Sequence, residues 1–320
     1  MRNIIYVLTA VSVLVAGCAT PQQLESADME ATATASAEDT DSTEDTDLRG
    51  TSSTPASHGS GHGFSDAELC NNGVLSRQGV GVMLPLTQPG NSETIYTTFQ
   101  RIDRIAALFE TCGDPWGLFP TTYRHITRRI IQAIENNEIE DTEWGHRIVV
   151  DFAGRYLAAL EAALTDREPS FAWKQYYYLA DRDDVSRTRA VVVAMVAHLT
   201  LDLPYSLVDI NSTDDHKDDY FVLGELMIEI TPDFIQDLRD YYDTDAEDFL
   251  TGFVIGDWVD SAFGQDTMIT FSYQTIRTKS WNNSWYLQQW WGTVIAEGEI
   301  YAAFWNMDGV LATLDATGAI

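Results

Sequence analysis

The sequence predicts an all-α protein, with a single orthogonal domain of about eight to ten helices around a buried central helix. Apolar residues recur at steps of three and four over most of the chain after residue 66, a spacing typical of amphipathic helices. The first such stripe is Ile95, Phe99, Ile102, Ala106 and Phe109. Ala190–Leu201 is apolar on nearly every side and predicts the buried helix. No alternating pattern is long enough to predict a strand.

The first 17 residues are predicted to be a signal peptide. Arg2 precedes the apolar run Ile4–Ala16, which is shorter than the roughly 20 apolar residues that span a bilayer. The run ends in Leu14–Cys18 (Leu-Val-Ala-Gly-Cys), which resembles the bacterial lipobox. This resemblance implies cleavage before Cys18 and fatty acylation of its thiol, and Ala19 at the next position implies the outer membrane. We therefore expect an outer-membrane lipoprotein of the cell envelope; an ordinary secretory signal or an uncleaved anchor is the alternative.

Residues 18–65 are predicted to be a disordered acidic linker after the acylated cysteine. They consist mainly of Ser, Thr, Ala, Gly, Asp and Glu, and cannot bury enough apolar surface to offset the entropy of ordering. The helical domain is therefore expected at residues 66–320. It holds two further cysteines, Cys70 and Cys112, an even pair that fits one disulfide in an oxidising envelope compartment.

Charge and missing motifs exclude several classes of protein. The chain has 19 Lys and Arg against 49 Asp and Glu, a formal net charge of −30. Nucleic acid is therefore not an expected partner, because phosphate contacts need Lys and Arg. A Gly-rich phosphate loop, Gly-x-Ser-x-Gly, Cys-x-x-Cys and His-Glu-x-x-His are all absent from the sequence. This argues against nucleotide hydrolases, the usual serine esterases, thiol redox proteins and common zinc proteases.

Capping residues and prolines predict where the later helices begin and end. The predicted start signals are Pro120, Thr142, Pro169 and the triplet 231–233 (Thr-Pro-Asp). Breaks between helices are expected at Gly113–Pro115 and Gly264–Asp266, and the last helix is expected from Trp285 to about Phe304.

The predicted central helix carries two ionisable residues four positions apart, His198 and Asp202. They share one helix face, and Pro204 predicts a kink or a stop near Asp202 because proline removes a backbone donor. Unpaired, either side chain would destabilise so apolar a region. Three interpretations remain open: a structural hydrogen bond, a catalytic pair in which Asp202 orients His198 as general base or acid, and a divalent metal site, with zinc as the cofactor, that uses both as ligands.

The same segment resembles the signature of an uncharacterised bacterial family of unknown function. Residues 194–204 read Ala-Met-Val-Ala-His-Leu-Thr-Leu-Asp-Leu-Pro, and the family has Gly-Met-Asn-Ala-His-Ile-Asn-x-Asp-Leu-Pro. Further segments that resemble the family, in the same order, are 119–127, 151–160, 169–173 and 277–281. The resemblance extends from about Ile95 to Phe304 and implies an all-helical fold without an agreed activity. Ala194, Val196 and Thr200 depart from the signature.

The spacing of His198, Asp202 and Pro204 is also similar to that of zinc-dependent phospholipases C, which are all-helical. This similarity implies further histidine ligands, but Val208 stands near the position of the next one. The remaining candidate ligands are His125, His146, Asp151 and His216.

Three more residues are candidates for ligand binding. Tyr205 lies near the face of His198, and Arg155 and Arg277 are basic groups in a base-poor chain. Each arginine is expected either to pair with an acid such as Asp151 or Asp257 or to clamp an anionic substrate. Tryptophans also crowd the C-terminal quarter, where they are expected to pack in the core or to line a groove for an apolar or sugar ligand. They are Trp258, Trp281, Trp285, Trp290, Trp291 and Trp305.

Two functions follow from these features. One is a lipid-anchored, non-catalytic envelope protein that binds a small molecule or an envelope partner, neither of which the sequence identifies. The other is a hydrolase-like enzyme centred on His198 and Asp202. The binding protein is favoured, because no feature of the sequence specifies a reaction.

Overall fold

The structure, a computed structural model, describes residues 64–90, 92–244, 246–255 and 273–320. Its α-helices are α1 (Asp66–Leu69), α2 (Arg77–Thr87), α3 (Ile95–Cys112), α4 (Leu118–Glu135), α5 (Thr142–Leu164), α6 (Phe171–Ala180), α7 (Arg187–Ala197), α8 (Leu203–Asp209), α9 (Lys217–Tyr242), α10 (Glu247–Ile255), α11 (Tyr273–Leu287) and α12 (Thr293–Ala316). The predicted all-α class is confirmed. The expected signal peptide, Cys18, most of the expected linker, Asp257, Trp258 and the expected break at Gly264–Asp266 lie outside the described residues.

Helix α7 lies at the centre of the core, as predicted. Every residue from 190 to 200 is buried, and α7 packs against α4, α6 and α12. By length and hydropathy the segment Arg187–Asp209 could also cross a membrane, but 83% of its most apolar window is buried inside the protein. Its all-round apolar character therefore reflects a core helix.

A small β-hairpin precedes α2 and was not predicted. Strands β1 (Cys70–Asn71) and β2 (Val74–Leu75) pair antiparallel through a turn in which Asn72 and Gly73 both have positive φ. Two central residues with positive φ favour this tight turn, and two-residue strands are too short to show an alternating pattern. A disulfide joins Cys70 to Cys112, so the hairpin is held against the end of α3.

Two of the predicted start signals, Thr142 and Thr231, do not act as expected. Asp141 caps α5, because its carboxylate accepts a hydrogen bond from the Trp144 backbone N–H at 2.8 Å, and Thr142 is the first helical residue. The predicted start at Thr231 is wrong, since α9 continues through Pro232. The Thr231 hydroxyl donates to the Met227 carbonyl at 2.8 Å, which keeps its side chain against the preceding turn of the same helix.

The predicted last helix is also divided. Trp285 belongs to α11, and α12 begins only at Thr293. The turn between them needs glycine at position 292, where a Cβ would lie 2.1 Å from the Tyr286 carbonyl oxygen. Gly292 therefore permits a close approach of backbone segments that the apolar pattern of the sequence does not reveal.

Candidate functional site

A π-helical turn, His198–Asp202, connects α7 to α8. A stop near Asp202 was one of the two expected outcomes, but the helix continues through Pro204. Instead the Leu203 N–H bonds to the His198 carbonyl, so the Leu199 carbonyl loses its α-helical partner. The Ser280 hydroxyl of α11 donates to this carbonyl. The carbonyl freed at this turn therefore ties α11 to the π turn.

His198 and Asp202 form a buried pair on this turn, with 3% and 6% of their surfaces exposed. His198 Nδ1 lies 2.8 Å from Asp202 Oδ2, and the Trp173 indole N–H donates to the same oxygen at 2.9 Å. An ionised carboxylate only accepts, so Nδ1 carries the imidazole hydrogen. Nε2 is left with its lone pair.

Aromatic rings surround the imidazole. The Phe152 ring stacks on it with 3.5 Å between centroids, and Phe119 and Tyr123 meet it edge-on. Burial lowers the pKa of His198 below its ordinary 6.5, against the opposing effect of Asp202. Among the described residues Nε2 has no hydrogen-bond partner. The site therefore presents a neutral, unpaired base in apolar surroundings.

His198 lines a cavity of about 70 Å³ between α4, α5, α9, α11 and the π turn. Most of its wall is apolar, including Ile126, Ile130, Val149, Phe152, Met195 and Leu223. Ile126, Ile130 and Phe152 are only half-buried, so this side of the cavity borders solvent. The arrangement suits a ligand with an apolar body and a polar end.

Arg277, from α11, lines the same cavity and is 5% exposed. Its Nη2 donates to the Tyr220 carbonyl, its Nη1 donates to the Tyr273 hydroxyl at 3.2 Å, and its guanidinium carbon lies 4.2 Å from the centroid of the Tyr220 ring. Within the described ranges no carboxylate pairs with Arg277, and its Nε has no partner. Of the three predicted binding residues, this is the one that the structure brings together with His198.

Arg155 and Tyr205 are not among the residues that line the cavity. Arg155 Nε donates to Asp151 at 3.1 Å and to the Ser206 hydroxyl at 2.8 Å, and its Nη2 pairs with Asp209. Its guanidinium lies 5.6 Å from the centroid of the Tyr205 ring. Arg155 therefore pairs with acids, the first of the two roles expected for it.

The predicted metal ligands do not form a set of three or more among the described residues. Asp202 contacts the imidazole itself, His125 pairs with Asp237 at 2.6 Å, and His216 lies 3.3 Å from Asp141. In the part of the chain that the structure describes, no group of three or more His, Cys, Asp or Glu side chains is placed to hold a metal ion. Zinc sites need at least three protein ligands, so this donor set does not fit zinc.

The predicted tryptophan cluster divides between core and surface. Trp281 is buried and Trp305 half-buried, whereas Trp285, Trp290 and Trp291 are exposed around the turn between α11 and α12. Core packing thus explains only part of the cluster. None of these described tryptophans lines the cavity.

Trp173 and Gly224 are among the residues of the site that were not predicted. Trp173, on α6, orients the Asp202 carboxylate by a hydrogen bond. Gly224, on α9, lies against the Arg277 guanidinium. Glycine in the middle of an apolar helical pattern was the available signal, since it often marks a close approach.

A sequence model described as a family of unknown function (DUF5995) matches residues 95–307. No curated protein and no solved structure matches the chain. The predicted resemblance to an uncharacterised family is therefore confirmed at the level of the family. The finer similarity to phospholipases C stays a prediction.

Proposed function

The chain belongs to the DUF5995 family, whose function is unknown, and we propose from its geometry that the domain binds a small, mostly apolar ligand in the cavity beside His198. The observation that carries the proposal is the buried Nε2 lone pair of His198, a residue that lines the cavity, because this atom has no partner among the described residues. A buried polar atom left unpaired costs about 1–3 kcal/mol, so a group that donates to it gains affinity.

The size of the cavity limits what it encloses. Its 70 Å³ is several times the roughly 10–15 Å³ that one water needs, and about half of an engineered 150 Å³ cavity that binds benzene. The enclosed space therefore suits the polar end and first carbons of a ligand. A longer tail would leave between the half-buried Ile126, Ile130 and Phe152.

1-Hexanol is a suitable probe, because its hydroxyl can donate to Nε2 while its chain covers apolar wall. Calorimetric titration of the mature protein is expected to show saturable binding. His198→Asn should weaken it about tenfold, or ~1.4 kcal/mol, because the asparagine amide can still donate to Asp202 but offers nothing in place of Nε2.

Met195→Val is the matched control, since it changes the volume of the same wall and leaves Nε2 intact. It should bind 1-hexanol within a few fold of the wild type. Absence of saturable binding in the wild type, or equal binding by His198→Asn, would contradict the proposal.

The orientation of His198 by Asp202 also favours a second candidate, a hydrolase-like enzyme. A neutral imidazole with a carboxylate on Nδ1 is suited to remove a proton through Nε2. Among the described side chains no nucleophile is hydrogen-bonded to Nε2, so the attacking group would be water. His198-dependent turnover of 4-nitrophenyl hexanoate would support this candidate, and binding without turnover would support the first.

We further propose that acyl chains on Cys18 tether the domain to the outer membrane. The support is the lipobox-like Leu14–Cys18 after a short apolar run, followed by an acidic stretch poor in large apolar residues. In this proposal the N-terminus binds the membrane, and the helical domain binds the ligand in its cavity.

A further inference from the structure

The absence of a side chain at Gly224 leaves room for the Arg277 guanidinium beside the cavity. At Gly224, in the middle of α9, a Cβ would lie 2.3 Å from Nη1 and 2.7 Å from Cζ of Arg277. A glycine inside a helix destabilises it relative to alanine. Helix α9 thus carries an unfavourable residue at the point where it makes room for the guanidinium.

Among the residues that the structure describes, the charge of Arg277 lacks an acidic partner. Burial alone would lower the pKa of Arg277, but contacts with Tyr273 and Tyr220 outweigh it and raise the pKa, so the guanidinium stays protonated. Its hydrogen bonds to described residues go to a carbonyl and a phenol, which are neutral. A buried charge without a counter-charge is strongly unfavourable, and an anion at the cavity would compensate it.

The two unpaired atoms of the site have opposite roles. Arg277 Nε–H is a donor without an acceptor, and His198 Nε2 is an acceptor without a donor, within the part of the chain that is described. A carboxylic acid is a small group that matches both, because its carbonyl oxygen accepts and its hydroxyl donates. A planar carboxyl also suits a cavity of about 70 Å³ better than a tetrahedral phosphate does.

We propose that the cavity beside His198 and Arg277 binds an aliphatic carboxylic acid. A bound acid gives its proton to His198 Nε2, which forms one N–H bond as the acid O–H bond breaks. A carboxylate that enters at neutral pH binds together with one proton taken up from solvent at Nε2, so in both cases the carboxylate lies between the imidazolium and the guanidinium. The inference rests on the proposed function, to which it adds the chemical class of the ligand.

The test compares hexanoate with 1-hexanol at equal chain length and neutral pH, by titration calorimetry on the mature protein. Wild type is expected to bind hexanoate at least about tenfold more tightly than 1-hexanol. Arg277→Met should abolish this preference while 1-hexanol still binds, and Arg277→Lys should keep part of it because the charge remains.

Each result has a separate meaning. If wild type binds 1-hexanol as tightly as hexanoate, or if Arg277→Met keeps the preference, the carboxylate inference is overturned and the apolar binding site stands. If neither probe binds, the proposed function itself fails. Tighter binding of hexyl phosphate than of hexanoate would overturn the choice of a carboxylate. The comparison of the two probes on the wild type needs no variant. It therefore tests the inference even if a variant does not fold.

Discussion

The chemistry available to His198 depends on which ring nitrogen carries its hydrogen. Asp202 accepts from Nδ1, and the Trp173 indole, which can only donate, confirms that the shared Oδ2 is an acceptor. With its hydrogen on Nδ1, the buried ring can accept a proton at Nε2. The same geometry therefore serves a binding site for an acid and a general base.

Arg277 differs from two other arginines beside the core, Arg124 and Arg189. Arg124 pairs with Glu110 and Asp237, and the half-buried Arg189 pairs with Asp308, so these cations have carboxylate partners inside the protein. Arg277 has neutral partners in the described ranges. Arg124 and Arg189 therefore stabilise the fold through ion pairs, whereas we expect a ligand to supply the counter-charge of Arg277.

At the scale of the helix, Gly224→Ala tests whether α9 is shaped by the guanidinium. Alanine normally stabilises a helix interior by up to about 1 kcal/mol over glycine. Here the Cβ would lie 2.3 Å from Arg277 Nη1, so we expect a loss of about 1–3 kcal/mol in the free energy of unfolding by urea.

Gly154→Ala, in α5, is the matched control, because a Cβ there meets nothing within 4 Å. It should be neutral or stabilising. Combining Gly224→Ala with Arg277→Met should remove the loss, since the clashing group is gone. Equal stabilisation by both alanine substitutions would show that Arg277 does not require the glycine.

Helices could be predicted where the apolar pattern is local, whereas their predicted starts at Thr142 and Thr231 were inaccurate. The stripe of α3 and the all-round apolar α7 both follow from spacing alone. Pro204 and Pro232 led to less accurate predictions, because packing holds the helix together on both sides of each proline. Ser280, which bonds the carbonyl freed at the π turn, comes from a helix whose approach the sequence does not specify.

For the whole molecule, fold class was predictable and the composition of the site only partly so. His198 and Asp202 are four residues apart, so one helix suffices to pair them. Trp173 and Arg277 reach the site only when α6 and α11 pack beside it. In the sequence Arg155 and Arg277 are equally good candidates for binding an anion. In the structure Arg155 lies outside the cavity lining, where Asp151 and Asp209 pair with its charge.

The proposed membrane attachment concerns the chain as a whole. Cells that process lipoproteins are expected to incorporate labelled palmitate into the full-length chain. Cys18→Ser should abolish incorporation, because the acylated thiol is lost, and Cys70→Ser should keep it. Label in the Cys18→Ser chain, or none in the wild type, would exclude acylation at Cys18.

The unpaired, unprotonated Nε2 of His198 is the claim on which the proposed ligand site depends, and nitrogen NMR of the ¹⁵N-histidine-labelled protein measures it directly. His198→Asn identifies the signal. In the ligand-free protein at pH 7 we expect a neutral ring with its hydrogen on Nδ1 and with a pKa below the ordinary 6.5, because burial disfavours the imidazolium. A hydrogen on Nε2 at that pH, or a pKa above 6.5, would contradict the account.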